Sequence, residues 1–311
     1  MSRSLKEQES GTITTSRGLP KTAVIGAGGY LGRHFLARYQ GVYPDTLGVD
    51  VAGPWKHLLD LAKPDIRLMK LAQSGYEYAI IAAAVTGLAR CEQDVAFTRA
   101  LNVTGTLELA KQLADEGVTP VFFSTDNVFD GKEGGYVDEA PTNPVNQYGA
   151  QKAEVERRLP EVSRGRYLIA RLGKVFGLVR GDRTLLDEMA GRLTSGEEVA
   201  AASDQIFCPV LVDDVVRAVS GLQQAGATGL FNVCASEVWS RFNLANALAR
   251  ALGVDSALIK DISLDDLHEP FRRVKRGDMV CRRLRGAIHL EFRPMAACIQ
   301  LVANHYQKDG L

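Results

Sequence analysis

The chain has 311 residues, 46% of them hydrophobic and 24% charged, and its formal net charge is zero. This composition is typical of a globular protein with a sizeable core, and the balanced charge gives no bias toward nucleic acid or an anionic membrane. The five cysteines are scattered and form no CxxC pair, which predicts neither a zinc site nor a redox dithiol and indicates reduced thiols in a cytoplasmic protein.

The N-terminal segment, residues 1–20, is polar and rich in Ser and Thr, and it lacks the apolar region of a signal peptide. We expect it to be a flexible tail. No apolar run reaches the length of about 18 residues that a bilayer requires, so no membrane-spanning helix is predicted.

From residue 21 onward, short apolar runs alternate with amphipathic segments. Strands are predicted at residues 21–27, 46–51, 76–84, 120–125 and 166–172. Helices are predicted at residues 30–39, 94–116, 146–162, 213–224 and 240–252. Apolar strands that alternate with helices are typical of a parallel sheet covered on both faces. The prediction is therefore an α/β fold with a doubly wound, Rossmann-type parallel sheet.

The first predicted strand runs into the glycine-rich sequence VIGAGGYLG, in which Gly26, Gly29 and Gly32 are spaced three residues apart. Glycines between a strand and a helix let the chain turn tightly and bring a pyrophosphate close to the helix N-terminus. Asp50, at the end of the second strand, can accept hydrogen bonds from the hydroxyls of an adenosine ribose. The charge of Asp50 would repel the 2′-phosphate of NADP and therefore favours NAD as the cofactor. Arg33 could neutralise that phosphate, so NADP remains an alternative.

The sequence PVFFSTDNVFDG is a strand that turns polar at Ser124 and Thr125, and the ends of strands face the ligand crevice in a doubly wound sheet. The helix that follows contains Tyr148 and Lys152, which share a face because they are four residues apart. An ammonium group near a tyrosine lowers the pKa of the phenol, so Tyr148 is a candidate proton donor near neutral pH. Thr125 is a candidate hydroxyl for holding the same substrate oxygen.

With these residues in place, the chain resembles an extended short-chain dehydrogenase/reductase, most closely the dTDP-4-dehydrorhamnose reductase branch. The matching motifs run in the family's order over most of the chain: GAGGYLG, GVD, AAAVTGLARCE, LNVTGTLELA, STDNVFDG, YVDEAPTNPVNQYGAQKAEVE, RLGKVFG and DQIFCPVLVDD. The resemblance implies reduction of a nucleotide-linked 4-keto-6-deoxy sugar, with a hydride from NAD or NADP and a proton from Tyr148.

The resemblance also assigns residues to the site, with Thr125, Tyr148 and Lys152 as the catalytic group. The implied cofactor-binding residues are Gly26, Gly29, Tyr30, Leu31, Asp50, Asp60, Leu61, Ala82, Ala83, Ala84, Asn102, Ser124, Tyr148 and Lys152. The implied substrate residues are Thr86, Asp126, Asn127 and Gln205. By the same resemblance, Asp60 and Leu61 would lie beside the adenine, and Asn102 would assist a proton relay behind Lys152.

Several positions depart from the pattern of the branch. Asn127 and Val85 replace tyrosines, Lys174 replaces an aromatic residue before the valine of RxxxVxG, and FCPVL brings Cys208 and Val210 where a Gly-x-Pro-Thr sequence is usual. These changes fall where the sugar would bind and spare the glycine loop and the catalytic residues. They predict a working dinucleotide enzyme with an altered substrate.

The segment 270–293 is strongly basic. It is interpreted either as a solvated surface or as a clamp for an anionic substrate such as a diphosphate, because arginine pairs well with phosphate oxygens. The cations in question are Arg272, Arg273, Lys275, Arg276, Arg282, Arg283, Arg285 and Arg293.

Two other functions remain open at this point. One is an epimerase or dehydratase that retains its NAD, although a dehydratase usually has two acids after the catalytic threonine and this chain has Asp126 followed by Asn127. The other is a non-catalytic dinucleotide-binding subunit, because the regulatory subunit of methionine adenosyltransferase shares these motifs.

Two domains are predicted. A dinucleotide-binding domain would comprise residues 21–176 and about 206–234, and a smaller substrate domain would comprise about 177–205 and 235–311, with the site in the cleft between them. The resemblance suggests a homodimer. The five histidines show no ligand spacing, so no catalytic metal is predicted.

Overall fold

The structure is a computed structural model that describes residues 17–307. Most of the predicted tail, residues 1–16, lies outside the described residues. The last part of that segment is packed rather than loose: Leu19 is buried, and its carbonyl oxygen accepts a hydrogen bond of 2.7 Å from the Tyr43 hydroxyl. The packed chain therefore begins before residue 21, slightly earlier than predicted.

The elements alternate between strands and helices along most of the chain. The strands are β1 Thr22–Ile25, β2 Gly48–Val49, β3 Tyr78–Ile81, β4 Thr119–Thr125, β5 Leu168–Leu172, β6 Lys174–Phe176, β7 Val199–Ala202, β8 Ile206–Phe207, β9 Pro209–Leu211, β10 Gly229–Val233, β11 Trp239–Ser240 and β12 Ile259–Ile262. The helices are α1 Tyr30–Gln40, α2 Leu88–Gln93, α3 Val95–Arg99, α4 Thr106–Asp115, α5 Gln147–Val162, α6 Leu185–Thr194, α7 Val212–Gln224, α8 Arg241–Leu252, α9 Arg282–Ala287 and α10 Met295–Gln307.

Six parallel strands form the central sheet in the order β10-β5-β4-β3-β1-β2. Successive side chains point to opposite faces, so Val24 and Ile80 belong to one buried cluster while Ile25 and Ile81 belong to the other. Both faces are covered, as parallel sheets require. The chain order reverses between β1 and β3, which opens a crevice beyond the carboxyl ends of these strands. The predicted doubly wound α/β fold is confirmed.

The prediction of a single helix at residues 94–116 is wrong, because the structure divides this stretch into several helical segments. The chain is already helical in α2, breaks at Asp94, and resumes in α3, because the Asp94 carboxylate accepts a hydrogen bond from the amide of Phe97 at 3.2 Å and caps the new helix. A π-helical turn, Ala100–Gly105, then leads into α4. At Gly105 a β-carbon would lie 1.7 Å from the Leu61 carbonyl oxygen, so the turn brings two backbones together.

A third apolar cluster lies outside the central sheet. It is formed by α6, β7, α8 and α10, whose side chains Leu186, Leu244 and Leu248 are fully buried in it. The short strands β7 and β12 pair in parallel beside this cluster. These elements come from the two segments predicted to form the substrate domain.

One part of the predicted substrate domain packs elsewhere. Met279, Cys281, Leu284 and Ile288 are buried in the cluster on the central sheet, and Met279 forms a β-bridge with Tyr136. The segment around α9 therefore packs against the central sheet, whereas the prediction groups it with the substrate domain. The many arginines between these residues hide the apolar pattern in the sequence.

Candidate active site

The glycine loop connects β1 to α1 with very little space around its backbone. Gly26 has φ +85°, and a β-carbon there would lie 2.3 Å from the Ala83 amide nitrogen. At Gly32 a β-carbon would lie 1.9 Å from the Gly26 carbonyl oxygen, so α1 can approach the loop only at a glycine. Gly29 precedes α1 and provides no side-chain cap, which leaves amides of the first turn for an anion.

Asp50 lies beside this loop, where the sequence predicts it. Its Oδ2 accepts a hydrogen bond from the Gly28 amide at 2.9 Å, and its Oδ1 accepts one from the Val51 amide at 2.7 Å. The Trp55 ring packs against Gly28 from the following loop, a contact that sequence reasoning missed. The only signal for it is a large aromatic residue shortly after the acidic strand end.

Arg33 and Tyr30 point toward a different part of the molecule. The Arg33 guanidinium carbon lies 4.9 Å from the centroid of the Tyr30 ring, and the Tyr30 hydroxyl lies 3.3 Å from Asp182 Oδ2. Arg33 is thus stacked on an aromatic ring. Tyr30, predicted to bind the cofactor, presents its hydroxyl to the Asp182 loop.

Residues predicted to border the adenine differ in accessibility. Asp60 is exposed, and its Oδ1 accepts a hydrogen bond of 2.8 Å from the Ala62 amide. Leu61 is buried in the core, so only its backbone is available to a ligand. Ala83 likewise packs toward the core beneath Gly26, whereas its neighbours Ala82 and Ala84 border the main cavity.

The main cavity has a volume of about 880 Å³ and begins at the carboxyl ends of the central strands. It brings together most of the predicted residues. Those that line it are Leu31, Ala82, Ala84, Thr86, Ser124, Thr125, Asp126, Asn127, Tyr148, Lys152 and Gln205. The predicted residues that do not line it are Gly26, Gly29, Tyr30, Asp50, Asp60, Leu61, Ala83 and Asn102. The three predicted catalytic side chains therefore share one cleft.

The charges of Tyr148 and Lys152 are governed by burial. The Lys152 ammonium lies 5.8 Å from the centroid of the Tyr148 ring and donates a hydrogen bond of 2.8 Å to the Phe123 carbonyl oxygen. Burial lowers the pKa of Lys152 to about 8. Burial raises the pKa of Tyr148, and the Asp126 carboxylate raises it further. The predicted lowering of the Tyr148 pKa by Lys152 is therefore outweighed by burial and by Asp126, and the raised pKa favours the protonated phenol.

The polar end of β4 forms a small hydrogen-bonded group. Thr125 Oγ1 donates to Asp126 Oδ1 at 2.9 Å and accepts from the Asn127 amide at 3.2 Å. Asn127 Nδ2 donates to the same Asp126 oxygen at 2.9 Å. Beside this group, Ser124 Oγ is buried and has no hydrogen-bond partner among the described residues. Such an orphaned hydroxyl in a cleft is a candidate ligand contact.

The start of α5 fixes Tyr148 relative to this group. Asn146 caps the helix by accepting a hydrogen bond of 2.8 Å from the Gly149 amide, and its Nδ2 donates to Asn127 Oδ1 at 3.1 Å. A β-carbon at Gly149 would lie 2.0 Å from the Asn127 carbonyl oxygen. The helix therefore approaches the end of β4 closely, which places the tyrosine beside the threonine.

A buried ion pair holds the middle of α5 to the sheet, and sequence reasoning missed it. Arg171 on β5 donates to both carboxylate oxygens of Glu156, at 2.8 and 2.7 Å, and both side chains are about 5% exposed. Arg171 also donates to the Asp138 carbonyl oxygen at 3.0 Å. This ion pair restricts rotation of α5, which carries Tyr148 and Lys152, about its own axis relative to the sheet.

Asn102, which the resemblance assigns to a proton relay behind Lys152, forms hydrogen bonds to Val85 and Gln151. Its Oδ1 accepts a hydrogen bond of 2.8 Å from the Val85 amide. Its Nδ2 donates hydrogen bonds of 2.8 Å to the Val85 carbonyl oxygen and to Gln151 Oε1. Lys152 instead bonds to Phe123. Asn102 thus orders the segment after β3 and makes no direct link to Lys152.

The far end of the cavity is lined by cations and one ion pair. Lys174, Arg241 and Arg273 face it, and Arg273 forms a bidentate pair with Glu269 at 2.6 and 2.7 Å. The sequence analysis identified Lys174 only as a departure from the pattern of the branch, and it did not identify Arg241 as a site residue. Lys174 follows the end of β5, so the rule that located Thr125 would have located it also.

The basic segment divides between two places. Arg272, Arg273, Lys275 and Arg276 border a second cavity of about 1070 Å³ that adjoins the first. The cations of α9 lie near the β10 edge of the sheet, where the Arg283 guanidinium carbon is 4.9 Å from the Phe231 ring centroid. The eight cations therefore do not lie together, and the interpretation as an anion clamp could apply only to the first half of the segment.

Within residues 17–307, none of the helices combines the length and apolar character needed to cross a bilayer. The same part of the chain holds no group of three or more His, Cys, Asp or Glu side chains suited to a metal ion.

Comparison with known proteins places the chain among sugar-modifying reductases and their relatives. It is 27% identical over 237 residues to the probable low-salt glycan biosynthesis reductase Agl14 of Haloferax volcanii, covering 75% of this chain and 78% of that protein. It is 26% identical over 274 residues to the methionine adenosyltransferase 2 subunit beta of Danio rerio, covering 85% and 84%.

The fold matches that of a crystal structure of dTDP-4-dehydrorhamnose reductase from Bacillus anthracis in complex with NADP. The TM-score is 0.79 at 22% identity, and the match covers 90% of this chain and 97% of that one. The family model described as the RmlD substrate binding domain matches residues 21–308. The resemblance drawn from the sequence motifs is confirmed, and the chain belongs to the RmlD substrate-binding domain family of extended short-chain dehydrogenases/reductases.

Proposed function

We propose that this chain is a nicotinamide-dinucleotide-dependent reductase that converts the keto group of a nucleotide-linked 4-keto sugar to an alcohol. The observation that carries the proposal is the convergence of Thr125, Tyr148 and Lys152 in one cleft that begins beside an uncapped glycine loop. The 4-keto-6-deoxy sugars are the first substrates to test, because reductases with that specificity occur in the same family.

The residues around the glycine loop fit a dinucleotide. Gly26 and Gly32 leave a backbone cradle that no larger side chain allows, and the first turn of α1 offers amides to a pyrophosphate. The buried, unpartnered Ser124 hydroxyl supplies a further polar contact. Asp50 would hold the adenosine ribose, and its carboxylate favours NAD over NADP.

When bound, the reduced nicotinamide supplies the hydride that reaches the carbonyl carbon of the sugar. Tyr148 donates its phenolic proton to the carbonyl oxygen, so that C=O becomes CH–OH. Its raised pKa keeps that proton in place until the oxygen becomes basic. Thr125 orients the oxygen through its hydroxyl, and Asp126 and Asn127 hold the rotamer of Thr125. Lys152 would hold the nicotinamide ribose and later favour the tyrosinate by its charge.

The test is the loss of NADH absorbance with a panel of dTDP- and UDP-linked 4-keto sugars. Turnover that is abolished by Tyr148→Phe, with NADH binding retained, would support the reductase. Absence of turnover across the panel despite NADH binding would refute it.

One alternative has a specific observation behind it. The beta subunit of methionine adenosyltransferase 2 from Danio rerio matches over most of both chains, so the non-catalytic role remains a second candidate. Dinucleotide binding without turnover would support that role. NAD that stays bound through purification and is released only on unfolding would instead indicate an epimerase.

A further inference from the structure

Two cations at the far end of the cleft form no ion pair among the described residues, although the Glu188 carboxylate acts on the pKa of both. Lys174 is the first residue of β6 and Arg241 the first of α8, and both line the main cavity. Among the described residues, Lys174 forms neither a hydrogen bond nor an ion pair, and the side chain of Arg241 makes one long hydrogen bond of 3.4 Å to Gln205 Oε1. Arg273, in contrast, is neutralised by Glu269.

Lys174 lies close to the proposed reaction centre. Leu172, the last residue of β5, pairs in register with Thr125 on β4, and Lys174 follows two residues later at the same end of the sheet. Its charge acts on Asp126, where it opposes the effect of burial on the pKa of that carboxyl. The pairing of β6 with β9, in which Lys174 stands opposite Pro209, fixes the backbone at this point.

Asp126 lies close to Lys174 without forming an ion pair with it. Its Oδ1 accepts hydrogen bonds from Thr125 and Asn127. Desolvation by the walls of the cleft lowers the pKa of Lys174 and the positive charge of Arg241 lowers it further, although part of the lysine side chain is solvent-exposed. Two neighbouring cations in one cleft, without an ion pair to either, are typical of a site that receives an anion.

The diphosphate of a nucleotide sugar is poorly placed to be that anion. In a hexopyranose, the C4 carbonyl lies across the ring from C1, which carries the diphosphate. A diphosphate would therefore lie away from Thr125, nearer Arg272, which has no ion pair among the described residues; Lys275 and Arg276 beside it are paired with carboxylates. Lys174 and Arg241 are left for a group on the sugar itself, and the planar guanidinium of Arg241 suits a carboxylate.

We propose that Lys174 and Arg241 form a subsite for a carboxylate on the sugar, so that the preferred ligand is a nucleotide-linked hexuronic acid rather than a neutral sugar. This proposal rests on the function proposed above and narrows its substrate class. It also accounts for the lysine at a position where the branch has an aromatic residue, because an aromatic ring would face a neutral sugar.

The test is equilibrium binding of matched sugar pairs to the Tyr148→Phe protein, which avoids turnover. UDP-glucuronate is compared with UDP-glucose, and the dTDP-linked pair is measured in the same way. We expect the acidic sugar to bind about 10- to 100-fold more tightly, as charge-assisted hydrogen bonds predict. Lys174→Met should remove this preference, while Lys174→Arg should preserve it.

Arg272→Gln is the matched control, because it should weaken both members of a pair equally through the diphosphate. Equal affinity for the acidic and neutral sugars, no binding of the acidic sugar, or a preference that survives Lys174→Met would overturn the proposal. The reductase itself is judged separately by NADH oxidation with 4-keto sugars. Turnover of neutral 4-keto sugars without an acid preference would leave the reductase standing and refute the carboxylate subsite.

Discussion

Replacing Lys152 by methionine should make the protein more stable at neutral pH. The ammonium is buried, with Phe123 as its hydrogen-bond acceptor, and burial moves its pKa from 10.5 to about 8. At ~1.4 kcal/mol for each pH unit, keeping this charge in the folded state costs roughly 3 kcal/mol. Methionine has a similar length and no charge. The lost hydrogen bond and the unsatisfied carbonyl cost about 1–2 kcal/mol, so the expected net gain is about 1–2 kcal/mol.

The gain should depend on pH with a definite sign. Below about pH 8, Lys152 is charged in both the folded and the unfolded chain, so the full cost is present. Between about pH 8 and pH 10.5, the unfolded chain binds the proton more tightly, and the stability of the native sequence rises toward that of the variant. Above this window, both states are neutral and the electrostatic difference disappears.

The assay is urea unfolding of both proteins at pH 7 and at pH 10, in the absence of dinucleotide. The control is Lys63→Met at an exposed position, which should change the free energy of unfolding by less than about 0.5 kcal/mol. The expected result is a variant that is more stable at pH 7 and loses that advantage at pH 10. A variant that is less stable at pH 7, or an advantage that is the same at both pH values, would refute the assignment of a costly buried charge to Lys152.

Three further substitutions test other parts of the site. Glu156→Gln leaves the buried Arg171 without a carboxylate and should lower the free energy of unfolding by about 3–5 kcal/mol, measured in urea. A decrease of less than about 1 kcal/mol would contradict the stabilising role of this ion pair. Asp50→Asn should lower the preference for NADH over NADPH about tenfold in binding titrations, and an unchanged ratio would count against Asp50 as the selector. Gly32→Ala should cost about 1–3 kcal/mol by overpacking and should abolish dinucleotide binding, whereas Gly41→Ala, in open helical geometry, should do neither.

The central fold could be predicted because it depends on signals that are local in sequence. Apolar runs predicted the strands, and the glycine loop and the pair Tyr148 and Lys152 predicted where the cleft lies on the sheet. The register of β4 with β5, which brings Leu172 beside Thr125, follows from the parallel sheet once the strands are known. These features need only periodicity and the rule that ligands bind at the carboxyl ends of strands.

The remaining features depend on contacts between distant residues. The break at Asp94 depends on a side-chain cap that competes with helical continuation, and the π turn depends on the approach of Leu61 to Gly105. Arg241 enters the cleft only because α8 begins there. The burial of Leu284 among arginines could not be recognised without knowing that β10 forms the edge beside it.

The wall of the cleft that carries Glu269 and Arg273 is tied down on both sides. Before it, the Leu264 amide donates to Asp204 at 2.8 Å; after it, the Lys275 carbonyl accepts from the Ile206 amide at 2.6 Å. A segment attached at both ends cannot rotate outward about a single hinge. Any outward movement of this wall must therefore be greatest in its middle, and it is limited by the length of chain between the two attachments.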